Sequence, residues 1–285
     1  MKRYILLFVL LLTTVGAMAQ TVVQGEVEWP LEPKNELAKY LIDIDNYSKE
    51  AFGERVVNED VATFFAEENN ESVDSSKQSI QDTCAEADAL WHKFIWLCNE
   101  DRVEEAVELY KDNSFMIDIA ISHSEVRLLF HEEVLGYLLY QHLPEKEAAT
   151  LLAQAFGLDF VMIGIKYQNT PCPEGLEIYN HVMELLLGQY DESQQYDSMF
   201  STIDTWADTS GYNDTLYGQA VALFKKVRIY YYSLRDYAAA KSCLLEAKDL
   251  LERFHKENPD VDVSDGIESI NQMLQEVELA EAASK

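Results

Sequence analysis

The sequence predicts an all-α chain, built as an α-solenoid in which antiparallel helical hairpins stack one after another. Apolar residues recur three or four positions apart through most of the chain, which is the period of one face of an α-helix. Short polar turns divide these stretches into pairs, and so short a connection makes the two helices antiparallel. Small residues also return at near-constant intervals on the second helix of each pair, which indicates a repeated unit.

The chain begins with the pattern of a secretory signal peptide. Lys2 and Arg3 precede an apolar run from Ile5 to Leu12, and Ala17-Met18-Ala19 precedes Gln20. These are the basic, apolar and cleavage regions of such a peptide, so residues 1–19 are predicted to be removed. An N-terminal membrane anchor is disfavoured because the apolar run is shorter than the roughly 20 residues that span a bilayer.

Export sets the expected location of the mature protein. No cysteine directly follows the predicted cleavage site, so a lipid-anchored form is not expected, and we expect no later apolar run to reach the length that spans a bilayer. We therefore expect a soluble periplasmic or secreted protein, with no membrane anchor after cleavage of the signal peptide.

Two segments precede the first hairpin. Residues 20–33 end in prolines, and we interpret them as a flexible leader. From Asn35 the apolar spacing becomes helical, and Gly53 ends this helix. A short helix is predicted over residues 60–68. These two are the extra N-terminal helices of the predicted fold.

The first two hairpins follow in order. The first pairs a long helix over residues 73–99 with a second helix that begins near Val103. The second hairpin turns at Leu143-Pro144, where proline suits the start of a helix. We expect a separate helix over residues 159–166 to be inserted before the third hairpin.

The last two hairpins differ in clarity. The third runs from a helix over residues 174–187 into a predicted turn at residues 188–190. The fourth covers residues 216–254, with a turn at 233–236 in which Asp236 is placed to cap the second helix. A final helix, about 262–282, is apolar on one side and polar on the other, as expected of a terminal cap on a repeat stack.

The fourth hairpin resembles a tetratricopeptide repeat. The matching bulky, apolar and small positions are Phe224, Val227, Tyr231, Ala240, Leu244 and Ala247. In the second hairpin Leu135-Gly136 matches the Leu-Gly pair of the family, and in the first Ala106 with Tyr110 matches its alanine and aromatic residue. The resemblance implies close helix packing at small residues, which here are Ala106, Gly136, Ala148, Ala155, Ala240 and Ala247.

The repeat spacing is longer than the family standard. The second-helix positions Ala106, Ala148, Ser193 and Ala240 are separated by 42, 45 and 47 residues, against about 34 in the standard repeat. HEAT and armadillo arrays have comparable periods, but the small-residue pairs and tight turns favour the tetratricopeptide pattern. The resemblance covers residues 73–254 and implies about four irregular repeats within a single domain over residues 34–285.

Four cysteines leave several pairings open. Cys84 and Cys98 lie 14 residues apart on one predicted helix, which places their α-carbons about 21 Å apart, beyond the roughly 7 Å limit for a disulfide. Either could bridge to Cys172 or Cys243, and these last two could bridge each other. The alternative is four unpaired thiols that pack as small apolar residues.

The charge disfavours nucleic acid as a partner. The formal net charge is −29, and removal of Lys2 and Arg3 with the signal peptide leaves 20 basic against 51 acidic residues, or −31. Phosphate recognition depends on clustered Lys and Arg, and the same negative field repels anionic lipid. A basic partner is permitted by this charge.

Catalytic fingerprints are missing from the sequence. It contains no Gly-x-Gly pair, no Gly-Lys-Ser/Thr phosphate loop and no Gly-x-Ser-x-Gly elbow. His131-Glu132-Glu133 begins like a zinc-binding helix, but Leu135 stands where the second histidine is needed. Residues 260–266 resemble a calcium loop, but Asn271 replaces its last glutamate. We therefore predict a protein that is not an enzyme and has no metal or cofactor.

The family resemblance also implies where a ligand would bind. First helices line the concave face of such a solenoid, and the residues expected to point into this groove are Trp91, Tyr137, Tyr140, Lys225, Ile229 and Tyr232. We interpret the chain as an exported scaffold that binds a protein or peptide in this groove. Two alternatives are a carbohydrate-binding component of a surface nutrient-uptake system and a hydrolase whose carboxylates converge between repeats.

Overall fold

A computed structural model of the chain describes residues 29–52, 66 and 72–284. The predicted signal peptide, most of the predicted leader and the helix predicted over residues 60–68 lie outside this part, apart from Ala66, which is helical.

The described residues form helices joined by short connections, and no β-strand occurs among them. The prediction of an all-α chain is confirmed at this level. In chain order the helices are α1 (Glu36–Phe52), α2 (Val73–Asn99), α3 (Val103–Ala120), α4 (Ser124–Phe130), α5 (Gly136–His142), α6 (Glu145–Asn169), α7 (Pro173–Glu192), α8 (Tyr196–Thr209), α9 (Leu216–Arg228), α10 (Tyr237–Glu257) and α11 (Ser264–Ala283). Two π-helical turns, His131–Leu135 and Ile229–Ser233, precede α5 and follow α9, and a 3₁₀ turn spans Tyr212–Asp214.

The chain groups into two units by its internal contacts, residues 1–130 and residues 131–285. The sequence predicted one domain over residues 34–285, and that statement stays a prediction. Each unit has its own buried residues and is described separately.

The first unit is built on α2. Helix α1 packs on α2 and on α4, and α3 folds back along α2 after a three-residue turn. The core is aromatic: Trp91 meets Phe130 edge-on at a ring-centre distance of 5.1 Å, and Phe94 lies 6.3 Å from the ring of Tyr110. Such edge-to-face pairs add to the stabilisation that comes from burying the rings.

A polar cluster lies beside this core. The buried Asp45 carboxylate accepts hydrogen bonds from Trp91 Nε1 at 3.1 Å and from Lys49 Nζ at 2.6 Å. His92 Nε2 lies 3.6 Å from the same carboxylate. The ring of Trp29 stacks on His92 with ring centres 3.9 Å apart, so the segment before α1 is held against α2.

In the second unit most helices pack on the next helix in the chain. Helix α6 packs along α7, α9 along α10, and α10 along α11. The core of the last three helices is a cluster of buried apolar residues: Ala220, Val227, Ala240, Leu244, Ala247, Leu250, Leu251, Ile270 and Val277. Asp236 caps α10 by accepting a hydrogen bond from Ala239 N at 3.0 Å, which confirms the predicted cap.

Two predicted elements differ from the structure. Helix α6 is continuous to Asn169, so no separate helix is inserted over residues 159–166. Its buried face continues through Phe160 and Ile163, and burial of these side chains stabilises the helix beyond residue 158. Helix α7 continues to Glu192, so residues 188–190 are helical, and the turn comes at Ser193 and Gln194, where Gln194 has φ 62°.

Helix α6 also corrects the expectation that no later apolar run is long enough to span a bilayer. This helix is long and apolar enough to cross a membrane, judged by length and composition alone. However, 61% of its apolar stretch is buried in the protein, and core helices can have the same length and composition. All four cysteines are unpaired: Cys98 is buried, Cys84 and Cys243 are half-buried, and Cys172 is exposed.

Candidate functional site

The first helices of the last three predicted hairpins are joined by polar contacts between exposed and half-buried side chains. Tyr140 on α5 donates hydrogen bonds to Gln189 at 2.9 Å and to Glu192, both on α7. Glu184 on α7 pairs with Lys225 on α9 at 2.5 Å. Helices α5, α7 and α9 therefore present one surface, which we call the first-helix face.

A cavity of about 390 Å³ opens on this face between α7 and α9. Its size falls at the lower end of the about 300–1,000 Å³ that is usual for ligand pockets. The lining residues are Glu184, Leu187, Gly188, Asp191, Met199, Lys225, Arg228, Ile229, Tyr232 and Ser233. We refer to it as the α7/α9 cavity.

The second π turn shapes one wall of the α7/α9 cavity. A π turn contains one residue more than an α-helical turn, and such turns are frequent at functional sites. Here Leu234 N bonds to Ile229 O at 3.0 Å and Asp236 N to Tyr230 O at 2.8 Å, closing the helix before α10 begins. Ile229, at the start of this turn, and Tyr232, three residues later, both line the cavity.

Apolar and aromatic side chains contribute different parts of the cavity. Ile229 and Met199 are buried, and Leu187 is half-buried, so they supply apolar surface at the base. Tyr232 is 62% exposed, and its ring stands edge-on to Tyr231 with ring centres 4.7 Å apart. An exposed tyrosine beside a buried apolar base offers a ligand both apolar contact and a polar tip.

Opposite charges meet at one carboxylate of the cavity. Glu184 pairs with Lys225 at 2.5 Å and lies 3.6 Å from Arg228 Nη1. Lys225 Nζ also lies 5.1 Å from the ring centre of Trp206, a cation–π arrangement that fixes its position. Asp191 is exposed, and no ion pair to its carboxylate is found within the described ranges.

Tyr140 borders the same face as a hydrogen-bond donor. Burial, the hydrogen bond to Glu192 and the negative charge of that carboxylate raise the pKa of Tyr140 above its ordinary value of 10.0. The phenol therefore keeps its proton at neutral pH and holds the side chain of Glu192.

Gly188 is the one glycine of the cavity lining, and it lies in α7, four residues before the helix ends at Glu192. A Cβ atom built on Gly188 meets nothing within 4 Å. The helix backbone is therefore uncovered at this point, and space above it is open.

The structure brings together half of the predicted groove residues. Lys225, Ile229 and Tyr232 all line the α7/α9 cavity. Tyr140 reaches α7 from α5, whereas Tyr137 is 62% exposed and is not among the lining residues. These positions lie in the second unit.

The prediction for Trp91 needs correction. Its side chain is only 1% exposed, its ring packs against Phe94 and Phe130, and its Nε1 donates to Asp45. Trp91 is thus a core residue of the first unit, and its ring is not available to a ligand.

Five of the six predicted packing residues are fully buried. They are Ala106, Ala148, Ala155, Ala240 and Ala247. Gly136 differs, because it is half-buried and a Cβ there would meet His131 O at 3.5 Å and Leu152 Cδ1 at 3.8 Å, which are ordinary contacts. The structure therefore gives no steric requirement for glycine at this position.

Sequence reasoning missed the contribution of α7 to the cavity. Glu184, Gly188 and Asp191 are exposed and follow one another at intervals of four and three residues, so they share one face of α7. A polar stripe on the side opposite the buried residues of this helix was the available signal. Apolar spacing indicates only the buried face of a helix, so it does not indicate this stripe.

Titratable side chains do not form a metal-binding cluster in the described ranges. No set of three or more His, Cys, Asp or Glu side chains there is arranged to hold a metal ion. His131, the residue that begins like a zinc motif, is buried instead, with Nδ1 2.7 Å from the buried Asp159 carboxylate. This pair joins the first π turn to α6.

Comparisons of the chain with protein-family models, with curated proteins and with solved structures found no match.

Proposed function

We propose that this protein is an exported, non-enzymatic helical-repeat scaffold, similar to tetratricopeptide-repeat proteins, that binds an extended segment of a protein or peptide on its first-helix face. The observation that carries the proposal is the meeting of Lys225, Ile229 and Tyr232 in the α7/α9 cavity. These three were selected from the sequence because the family resemblance places them in a ligand groove.

The packing of the second unit supports a repeat architecture. Helices α9, α10 and α11 each pack on their neighbour in the chain, as stacked hairpins do. Ala240 and Ala247 are fully buried on the α10 face that packs within this group. A solenoid built in this way offers its first helices as a continuous surface, on which contacts from several repeats add up along an extended ligand.

The surface chemistry supports binding of a peptide. An extended peptide needs apolar surface for alternate side chains and polar groups for its backbone, and the cavity offers both. Ile229 and Met199 supply apolar surface, while Tyr232 and Ser233 bring hydroxyl groups to the rim. Export is supported by the pattern of residues 1–19.

The test uses peptides displayed as a random library on phage and selected on the purified mature protein. Peptides that bind are then titrated against Tyr232→Ala, which removes the exposed ring from the cavity. The matched control is Tyr47→Ala, a tyrosine of similar exposure, 60% against 62%, on α1.

We expect Tyr232→Ala to weaken the selected peptides by about tenfold or more, since exposed aromatic anchors dominate such interfaces. Tyr47→Ala should bind like the unaltered protein, and circular dichroism should give similar melting temperatures for both variants. Selection of no peptide, or equal binding by the two variants, would remove this cavity as the binding site.

Carbohydrate binding is the second candidate, and one observation favours it. The exposed ring of Tyr232 lies in a cavity that also contains the carboxylates of Glu184 and Asp191, and aromatic faces with nearby acceptors suit sugar rings. Calorimetric titration with a panel of glycans tests this reading. Heat from a glycan that disappears in Tyr232→Ala would favour the carbohydrate candidate over the peptide.

A further inference from the structure

We infer that Gly188 is a specificity-determining residue, which keeps the α7/α9 cavity open for a large apolar side chain of a peptide that carries Lys or Arg beside it. This inference rests on the proposed function and adds the class of peptide. Gly188, the acidic character of α7 and the apolar base of the cavity carry it.

Glycine at position 188 lowers the stability of α7, and no contact in the surrounding structure requires it. Glycine inside a helix is destabilising relative to alanine, because its backbone loses more conformational freedom on folding. Gly188 lies within the continuous helix α7, and a Cβ there would meet nothing within 4 Å. Alanine would fit and would favour the helix, so packing within the described chain does not require glycine.

The cavity gives this glycine a use. Gly188 lines it together with Leu187, Met199 and Ile229, so an uncovered helix backbone adjoins an apolar base. Without a side chain at 188, a ligand group can approach the backbone of α7 closely, as partners do elsewhere where glycine leaves a helix surface bare. A cavity of about 390 Å³ has room for a large apolar side chain.

The negative charge of α7 favours Lys or Arg next to the apolar side chain of the bound peptide. The helix contains Glu174, Glu177, Glu184, Asp191 and Glu192, with no Lys or Arg among its residues. Lys225 and Arg228 both lie against Glu184, whereas Asp191, which has no ion pair among the described residues, remains for a ligand. The net charge of −29 attracts a cationic segment at longer range and repels an anionic one.

The first experiment compares three sets of fluorescent twelve-residue peptides by anisotropy. One set has a central Leu, Phe or Trp between Lys and Arg residues, the second has the same centres between Asp and Glu residues, and the third keeps the basic flanks but has Ser at the centre. We expect the first set to bind at least about tenfold more tightly than either of the others, and its affinity to fall as salt rises.

The second experiment changes the glycine. Gly188→Ala and Gly188→Leu should raise the melting temperature or leave it unchanged, because both residues are better helix formers. Both should weaken the basic–apolar peptides, Leu by at least about tenfold and Ala by less, because their side chains occupy the space above α7. Binding that falls while stability rises cannot come from damage to the fold.

The matched control is Gly157→Ala on α6. Gly157 is also a glycine within a helix, a Cβ there would meet nothing within 4 Å, and it does not line the cavity. We expect Gly157→Ala to raise stability as Gly188→Ala does and to leave peptide affinity unchanged. A further variant, Asp191→Asn, should weaken the basic–apolar set while leaving the acidic-flanked set at background.

The outcomes separate the two levels of the proposal. If no peptide of any set binds the unaltered protein, the proposed function fails and this inference with it. If peptides bind but the acidic set binds as well as the basic set, or Gly188→Leu binds them as tightly as the unaltered protein, the inference alone is overturned. Preference for the basic–apolar set, lost in Gly188→Leu and kept in Gly157→Ala, supports both.

Discussion

Gly218 carries no side chain at a point where the chain leaves no room for one. A Cβ atom at this position would lie 2.2 Å from Tyr212 O and 2.5 Å from Tyr212 Cα, both of them backbone atoms. Backbone cannot rotate away as a flexible side chain can. The 3₁₀ turn at Tyr212–Asp214 is thus able to fold onto the start of α9 because position 218 is glycine.

We expect Gly218→Ala to lower the free energy of unfolding by about 1–3 kcal/mol or more, since alanine forces the turn away from α9. Urea denaturation followed by circular dichroism measures the change. Gly157→Ala serves as the control, because the space around that glycine is open and alanine should stabilise the helix there. Equal stability of Gly218→Ala and the unaltered protein would contradict the close contact.

The charge of the Asp45 carboxylate contributes to the stability of the first unit. Burial alone raises its pKa, but hydrogen bonding to His92 and Lys49 and their positive charges together outweigh burial, so the pKa lies below its ordinary value of 3.8. A carboxyl group with a lowered pKa in the folded state stabilises the fold above its ordinary pKa, and this contribution is lost as pH falls through the lowered value.

We therefore expect Asp45→Asn to be less stable than the unaltered protein at neutral pH, with the difference shrinking as pH falls below about 4. Chemical denaturation across this pH range gives the comparison. Asp43→Asn is the control, because Asp43 is an exposed neighbour on α1. A stability difference for Asp45→Asn that is the same at pH 7 and at the acid end would contradict this account.

At the scale of elements, the pair α9 and α10 shows how small residues set helix spacing. Ala240 is fully buried in the cluster that joins these helices with α11. We expect Ala240→Trp to lower the free energy of unfolding by about 1–3 kcal/mol or more, because the larger side chain forces the helices apart. Ala282 is exposed near the end of α11, so Ala282→Trp should have little effect. Thermal melts of both variants give the test, and two similar losses would count against close packing at Ala240.

The boundaries of several elements could be predicted from local signals. Helix α2 has the predicted bounds, Val73–Asn99, because its apolar spacing is regular and Ser72 caps it by accepting a hydrogen bond from Ser75 N at 3.1 Å. Asp236 caps α10 as expected, since its side chain needs only the backbone three residues ahead. Local hydrogen bonding of this kind is contained in the sequence itself.

Other elements depend on contacts that the sequence does not display. The sequence predicted a separate helix over residues 159–166 and a turn at residues 188–190, yet α6 and α7 continue through these segments. Packing of one long helix along the other overrides the local preference, and the buried Asp159 meets His131 from the first π turn. Tertiary contact, rather than propensity, sets these lengths.

The candidate site was only partly predictable for the same reason. The resemblance indicated which positions of a first helix point to a ligand, and on α9 and its π turn it selected Lys225, Ile229 and Tyr232, which line one cavity. On α2 it selected Trp91, which is a core residue. One helix face can meet solvent or another element, and apolar spacing alone does not tell which.

At the scale of the whole molecule, the four cysteines differ in their exposure to solvent, so their reactivity can be used to probe burial along the chain. Burial raises the pKa of Cys98 to about 12, so its thiolate is rare at neutral pH, and the side chain is also inaccessible. Burial and, to a smaller degree, the charge of Glu246 raise the pKa of Cys243. Cys172 is exposed at the start of α7.

We expect iodoacetamide at pH 8 to label Cys172 rapidly in the native protein and Cys98 only when urea unfolds the chain. Peptide mapping by mass spectrometry identifies the labelled positions, and a fully unfolded sample gives the reference rate for each thiol. Labelling of Cys98 without urea at a rate close to that of Cys172 would contradict the burial of Cys98 in the first unit.

The π turn that follows α9 is a place where the sequence could lose one residue during evolution without disrupting the helices on either side. Because Ile229–Ser233 holds one residue beyond an α-helical turn, removal of a single codon there would return the segment to regular helix while α9 and α10 keep their own sequences. The shortened version would place a different side chain in the cavity lining where Tyr232 now stands. Length variation at one point would thus let descendants of this gene change the lining of the α7/α9 cavity without altering the flanking helices.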